Sequence, residues 1–384
     1  MLNFMLYNPV KVYFGAGEVK QLNKECAEYK RILLVYGGGS IKHNGVYDQV
    51  LAQLTGKEVF EFSGIEPNPE YETLLKAVKV VKEQNIDIIL AVGGGSVIDG
   101  VKFIAAAACY HNDDYYEILQ TRGAKITKAI PFGVVQTLPA TGSEMNSGSV
   151  ISRAELSSKS AFGSEHTFPV FAVLDPEYTY SLPKRQLING VIDPFIHVTE
   201  QFLTTNLNTP IQDGFSITVL KTLISVADQL INKESKDYVL RSNWMWAATN
   251  ALNGYIGVGI NHDWATHNIG HSLTANYGLD HAQSLAIIAP RLWEHQLENK
   301  LDKLAMFATQ VWGCDPNMDR RGLAYLAIEK TEKFFRSVGA KTRLSEYDIK
   351  VDPSQVANTV FAYPLGEHAN ITRDDAIRII TLSI

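Results

Sequence analysis

Four short apolar runs in the first half of the chain, each leading into a glycine or turn cluster, constrain the fold more than any other feature. RILLVY (31–36) runs into Gly37-Gly38-Gly39-Ser40, and IDIILAV (86–92) runs into Gly93-Gly94-Gly95-Ser96. IPFGVVQTL (130–138) runs into PATGS (139–143), and VFAVLD (170–175) closes the series. Continuous apolar runs of this length suit strands buried on both faces, as in a parallel sheet. Helical apolar spacing fills the intervals, in YETLLKAVKVVKEQ (71–84) and VIDGVKFIAAAA (97–108). Alternating strand and helix predicts a doubly wound α/β domain.

The pattern changes after LDPEYTYSLP (174–183). Seventeen of the 28 glycines fall before residue 181, and strand-like runs nearly vanish beyond it. Long helical periods take over, including QDGFSITVLKTLISVADQLI (212–231) and DRRGLAYLAIEKTEKFFRSVG (319–339). With 384 residues, more than one hydrophobic core usually supports, the chain is expected to form two domains. These are an α/β domain over 1–180 and an all-helical domain over 181–384.

Composition narrows the function classes. The net charge of −6 is spread without long runs of either sign, so the clustered basic footprint of a nucleic-acid or anionic-membrane binder is missing. No uninterrupted apolar run reaches the roughly 18 to 20 residues that span a bilayer. The opening MLNFMLYNP lacks a basic segment and a small-residue cleavage site, so it does not read as a signal peptide. Cys26, Cys109 and Cys314 are far apart and form no CxxC pair, which disfavours a disulfide framework and an all-thiolate zinc site. A cytoplasmic protein without nucleic-acid or membrane partners is the expectation.

A glycine-rich turn directly after a buried strand lets backbone approach a phosphate, and the following helix offers unspent N–H groups. Residues 93–96 fit that description, although they are not GxGxxG and three glycines also serve plain tight turns. The second GGGS, at 37–40, carries no acid until Asp48 and has Lys42 close behind. A neutral-to-basic pocket with a hydroxyl donor accepts a ribose 2′-phosphate, so NADP(H) is expected in preference to NAD(H). A simple surface turn is the other reading of this loop. Thr137 to Glu144 follow the third run and cluster hydroxyls around Gly142, either as cofactor contacts or as ordinary turn formers.

Four of the ten histidines lie between 262 and 281. His267 and His271 share one helix face, and His281 follows beyond Gly278, where a turn can fold it back. Asp193 and His197 are also four apart. A D-x3-H pair meeting His267 and His281 makes three imidazoles and one carboxylate, a set suited to Zn or Fe with an open position. Taken singly the parts are bland, since Asp193 before Pro194 also reads as a helix N-cap. His262 and His295 are taken as structural.

Together with GGGSVID (93–99) and ATGSE (140–144), these segments resemble the iron-containing alcohol dehydrogenases. Phe14-Gly15-Ala16-Gly17, EPNP (66–69), LDPEYTYSLP (174–183) and MWAATNALNG (245–254) look like the NADPH-dependent aldehyde reductase and butanol dehydrogenase branch. The resemblance covers essentially the whole chain. It implies an N-terminal dinucleotide-binding domain, a helical C-terminal domain that holds the metal, and an active site in the cleft between them. It implies that Asp193, His197, His267 and His281 bind the metal and that His271 stands beside it. It places Gly38, Gly39, Ser40, Asn68, Gly94, Gly95, Ser96, Asp99, Thr137 and Thr141 near the cofactor, with Asn146 and Lys159 turned toward it. Two departures stand out: Pro194, which predicts a helix that starts or kinks at Asp193, and Asp280 where many members have proline.

The implied reaction is hydride transfer between nicotinamide and a small aliphatic aldehyde or alcohol such as butanal or butanol, with the metal polarising the carbonyl oxygen. His271 is the candidate proton relay. The alternatives are a glycerol-type polyol dehydrogenase and a lyase resembling dehydroquinate synthase. The lyase needs several cations for a phosphate-bearing substrate, and few surround the candidate metal residues. A homodimer is the family expectation.

Overall fold

The apolar runs build one six-stranded sheet. In the computed structural model, which describes residues 1–360 and 365–384, the strands are β1 (Lys11–Phe14), β2 (Arg31–Tyr36), β3 (Glu58–Phe62), β4 (Ile88–Gly94), β5 (Phe132–Leu138) and β8 (Phe171–Leu174). Their order is β1-β8-β5-β4-β2-β3, and every pairing is parallel. Successive residues face opposite sides of a strand, and two cores result. Leu33, Val35, Ile89 and Ala91 pack under the helices Tyr71–Glu83 and Gly95–Ala108. Ile32, Leu34, Ile88, Leu90 and Val92 pack on the other face with Val46 and Val50. The pairing of β2 with both β3 and β4 makes β2/β4 the point where the chain switches direction across the sheet. Ligands in open α/β sheets bind beyond the carboxyl ends of the strands at such a switch point. Both GGGS segments sit there. A separate antiparallel hairpin joins β6 (Gly148–Arg153) to β7 (Ser158–Gly163).

The chain divides into two compact units. One comprises Tyr7–Leu182 with Lys236–Met245; the other comprises Met1–Leu6, Pro183–Ser235 and Trp246–Ile384. The chain leaves the first of these between residues 182 and 183, and residues 236–245 also group with the sheet. The reason is local. Arg241 is fully buried and donates from Nη1 to the Thr179 carbonyl at 3.0 Å.

In the second unit the described residues form helices, with strand pairing limited to the bridge Leu365↔Ile371. The helix Lys184–Phe202 is central, and its last thirteen residues are all buried. It neither starts nor breaks at Asp193: it begins nine residues earlier and passes through Pro194. Proline withholds one N–H from the ladder, but aromatic packing holds the helix on either side of that gap. The Phe195 ring lies 5.5 Å from Phe334 and 5.4 Å from Phe335, and Phe202 lies 6.3 Å from Phe307. Such pairs contribute about 0.5–1.5 kcal/mol each beyond area burial.

The helix Pro210–Asn232 is long and apolar enough to cross a membrane by length and composition, with 44% of its apolar window buried inside the fold. Asp213 and Lys221 interrupt it, which is why no continuous apolar run marks it in the sequence. Asp213 ion-pairs with Lys303, and Val219, Leu220 and Leu223 are buried. That is the pattern of a core helix with one outward face.

Candidate metal centre and cofactor loops

Asp193 and His197 project from one face of the helix Lys184–Phe202 because they are one turn apart. His267 comes from the helix Ala265–Tyr277, and His281 is the first residue of the helix His281–His295. Gly278, with φ +67°, terminates the former in the left-handed conformation that lets the chain turn back so soon. Asp280 then takes a bidentate contact from Arg185, tying the His281 end to the helix of Asp193. The Asp280 departure thus has a structural use.

The Nε2 atoms of His197, His267 and His281 each lie 3.6 Å from Asp193 Oδ1. That is too long for a hydrogen bond. It matches the edge of a tetrahedron whose ligands stand about 2.0–2.2 Å from a central ion, roughly 3.3–3.6 Å. Asp193 Oδ1 and His267 Nε2 are buried and, among the described residues, neither has a hydrogen-bond partner. Buried polar atoms are ordinarily satisfied, so two orphans converging with two further imidazoles fit a divalent cation. Ligand atoms from Asp193, His197 and His267 lie within 4.8 Å of one another, and His281 joins through Asp193.

The protonation preferences reflect the same environment. Burial pushes the His197 imidazole down to about 4. Burial also pulls His267 down, but the carboxylates of Glu200 and Asp193 outweigh it and raise the ring to about 9. His271 is half-buried, with its ring 4.9 Å from His281 and 5.9 Å from His267. Trp264 adopts φ 58° and sets its indole 5.5 Å from His267. His262 contacts the Gly257 carbonyl and His295 pairs with Asp375, so both have structural partners.

The sheet unit carries the other predicted residues. Gly38, Gly39 and Ser40 follow β2, and Gly39 has φ +94°. Gly94 ends β4, and Gly95 and Ser96 open the next helix, which no side chain caps. Its first-turn N–H groups are those that a phosphate would take. Glycine is also required there for packing. A Cβ on Gly95 would lie 2.4 Å from Thr141 Cγ2 and 2.6 Å from its Oγ1. Gly95→Ala is expected to cost about 1–3 kcal/mol through overpacking and to weaken nicotinamide-cofactor binding, measured by thermal midpoint and by cofactor titration. An unchanged midpoint and affinity would show that the loop yields freely.

Two polar clusters join the remaining positions. Asn68, at φ 61°, donates its N–H to Ser96 Oγ at 3.2 Å and accepts from Lys159 Nζ at 2.9 Å. Asp99 accepts from Ser143 Oγ at 2.6 Å and from the Val150 N–H at 2.9 Å. Lys102 Nζ, fully buried, donates to Ser143 Oγ at 2.7 Å, Asn146 Oδ1 at 3.0 Å and the Gly148 carbonyl at 2.6 Å. Burial raises Asp99 and pushes Lys102 down to about 8. Thr137 is buried at the end of β5, and Thr141 Oγ1 accepts the Ser143 N–H at 3.2 Å.

Residue matching over both units decides the family. Residues 9–176 match the model of iron-containing alcohol dehydrogenases, and residues 187–384 match that of the C-terminal part of the Fe-containing alcohol dehydrogenase family. The chain belongs to the iron-containing alcohol dehydrogenase family. It is similar to the NADPH-dependent aldehyde reductase YqhD of Escherichia coli, at 50% identity over 99% of this chain and 99% of that protein. It is similar to the probable NADH-dependent butanol dehydrogenase 1 of Bacillus subtilis, at 42% identity over the whole of both chains. Among solved structures, NADH-dependent butanol dehydrogenase A from Thermotoga maritima superposes with a TM-score of 0.95 at 33% identity, covering 100% of this chain and 99% of that one. The chain is therefore an oxidoreductase of the iron-containing alcohol dehydrogenases, on their fold: a parallel-sheet unit and a helical one.

Three contributors escaped the sequence reading. Glu200 lies seven residues after Asp193 and three after His197, so a D-x3-H-x2-E spacing on one helix face was its available signal. Lys102 was the single cation in VIDGVKFIAAAA, three residues after Asp99 in an otherwise apolar run. Glu61 had no local signal, because only the parallel register Leu34↔Glu61 brings it beside the end of β2.

Proposed function

We propose that the protein is an NADP(H)-linked aldehyde reductase acting on small aliphatic aldehydes, with a divalent Zn or Fe ion held by Asp193, His197, His267 and His281. The observation that carries the reading is the convergence of three imidazole Nε2 atoms at 3.6 Å on Asp193 Oδ1. The residue types supply three neutral nitrogen donors and one anion, a set that leaves a coordination position for substrate. When bound, such an ion supplies Lewis acidity and the reduced nicotinamide supplies the hydride.

The chain's own residues do the positioning. Backbone N–H groups after Gly94 hold the pyrophosphate, and Gly38, Gly39 and Ser40 line the adenosine ribose. Asn68, Asp99, Thr137, Thr141, Asn146 and Lys159 fix the remainder of the cofactor through the two polar clusters. His271 passes a proton toward the product oxygen. Trp264, with few cations around it, favours a small uncharged substrate.

The names of the relatives divide between NADPH and NADH. For this chain the surroundings of residues 37–40 favour the phosphorylated cofactor. Glu61, the nearby acid that would repel a 2′-phosphate, is engaged by Tyr36 at 2.7 Å, by Lys42 at 3.1 Å and by Tyr47. A cytoplasmic homodimer belongs to the same reading, and the three free cysteines suit a reducing compartment.

The test is oxidation of NADPH and NADH in parallel by metal-analysed protein with butanal. Faster oxidation of NADPH, lost on chelation and restored by Zn or Fe, is the expected result. Preference for NADH would overturn the cofactor assignment, and no oxidation with either despite bound metal would overturn the reaction.

A further inference from the structure

Glu200 is only 3% exposed and sits on the same face of the helix Lys184–Phe202 as Asp193 and His197. Its two oxygens do different things. Oε1 accepts the backbone N–H of Thr266 at 2.6 Å and of His267 at 3.3 Å, satisfying two donors in the first turn of the helix Ala265–Tyr277. That much is helix capping. Oε2 contacts His267 Nδ1, which capping does not require. A carboxylate on Nδ1 accepts a hydrogen bond from that N–H and thereby selects the tautomer whose Nε2 carries a lone pair. It is this Nε2 that is buried without a partner, 3.6 Å from Asp193 Oδ1.

We propose that Glu200 is the positioning residue of the metal centre: it holds the His267 ring in the Nδ1–H form with Nε2 aimed at the cation. The proposal rests on the metal site described above. One carboxylate thus anchors the helix that carries His267, sets the register of that helix against the one carrying Asp193 and His197, and chooses which nitrogen is the ligand. A ring free to flip or tautomerise would present an N–H instead of a lone pair to the cation for part of the time. The carboxylate also increases the donor strength of the imidazole it accepts from.

Glu200→Gln separates this role from capping. The amide oxygen can still accept from Thr266 and His267, but the amide N–H2 then faces Nδ1 and favours the opposite tautomer. The experiment uses the full chain, stripped of metal and titrated with Zn against a chromophoric chelator. Selective 15N-histidine spectra of the metal-free protein, recorded at about pH 10 or above so that the His267 ring is neutral, report its tautomer, assigned by comparison with His267→Gln. For Glu200→Gln the expected result is Zn binding weakened by about 10–100-fold, with the His267 signal moved from Nδ1–H to Nε2–H. Glu200→Asp, which keeps the charge but withdraws it from Nδ1, should fall between the two, and serves alone if the glutamine variant does not fold. If the wild type binds one equivalent of Zn and the variants bind it equally well, Glu200 is a cap and the proposal is overturned. If the wild type takes up no Zn, the metal-site reading itself fails.

Discussion

Asp193→Asn is expected to empty the metal centre and to abolish most of the reductase activity. Asparagine preserves the volume and one carbonyl oxygen, so the helix and its aromatic packing should survive. What disappears is the single negative charge on which three Nε2 atoms converge at 3.6 Å. Substituting partners outside the first coordination sphere typically costs about 10–100-fold in metal affinity or activity. Loss of a direct anionic ligand should therefore exceed about a hundredfold, which corresponds to roughly 2.7 kcal/mol or more. The measurements are metal content of the purified variant and NADPH oxidation with butanal in the presence of excess Zn or Fe. His295→Ala is the control, since His295 pairs with Asp375 and contacts none of the proposed ligands. An Asp193→Asn protein that retains one equivalent of metal and full turnover would remove Asp193 from the centre. The same substitution should leave cofactor binding alone, because the residues assigned to the cofactor all belong to the other compact unit.

The parts of the fold that were legible in the sequence are those dictated by local pattern. The buried strands announce themselves because a parallel strand is apolar on both faces, and the long helices because one apolar stripe repeats every turn. Local rules misled where tertiary packing overrode them. Pro194 after Asp193 has the form of a helix start, yet Phe195 and its aromatic neighbours carry the helix straight through. Gly93 and Gly94 have the form of a turn, but they are the last residues of β4 and pair with β5. Residues 236–245 follow a helical segment and read as part of it, while burial of Arg241 ties them to the sheet unit. The site shows the same division. Candidate ligands spaced one turn apart were visible, whereas Glu61 and Lys102 depend on which strands and loops come to lie side by side. Glu200 stood between: its spacing was visible, but only the partner helix reveals what its second oxygen does.

Lys102→Met is expected to destabilise the sheet unit by about 3–5 kcal/mol, the range for breaking a buried charge pair from one side. Lys102 is wholly buried in the helix that follows β4. Although burial pushes it down to about 8, it remains mostly protonated at neutral pH. Its three donors reach Ser143, Asn146 and Gly148, and Ser143 passes the connection on to Asp99. Methionine fills the space of the lysine stem without strain, so the loss is electrostatic rather than a cavity. Asp99 would be left with the Ser143 hydroxyl, the Val150 N–H and the more distant charge of Lys159. The buried carboxylate would be raised further and forced toward its neutral form. The urea midpoint of the metal-free protein, followed by a probe in the sheet unit, reads the effect. Asp99→Asn combined with Lys102→Met should recover part of the loss, since the double variant no longer strands the Asp99 charge beside the missing lysine, although buried Glu144 still loses its cation. Non-additivity of this kind marks a direct coupling between the two sites. The loop 139–146 also loses its anchor to the helix, so cofactor affinity should fall together with stability. A Lys102→Met protein that unfolds at the wild-type midpoint would mean that Lys102 is already neutral in the fold and that Asp99 draws its compensation from elsewhere.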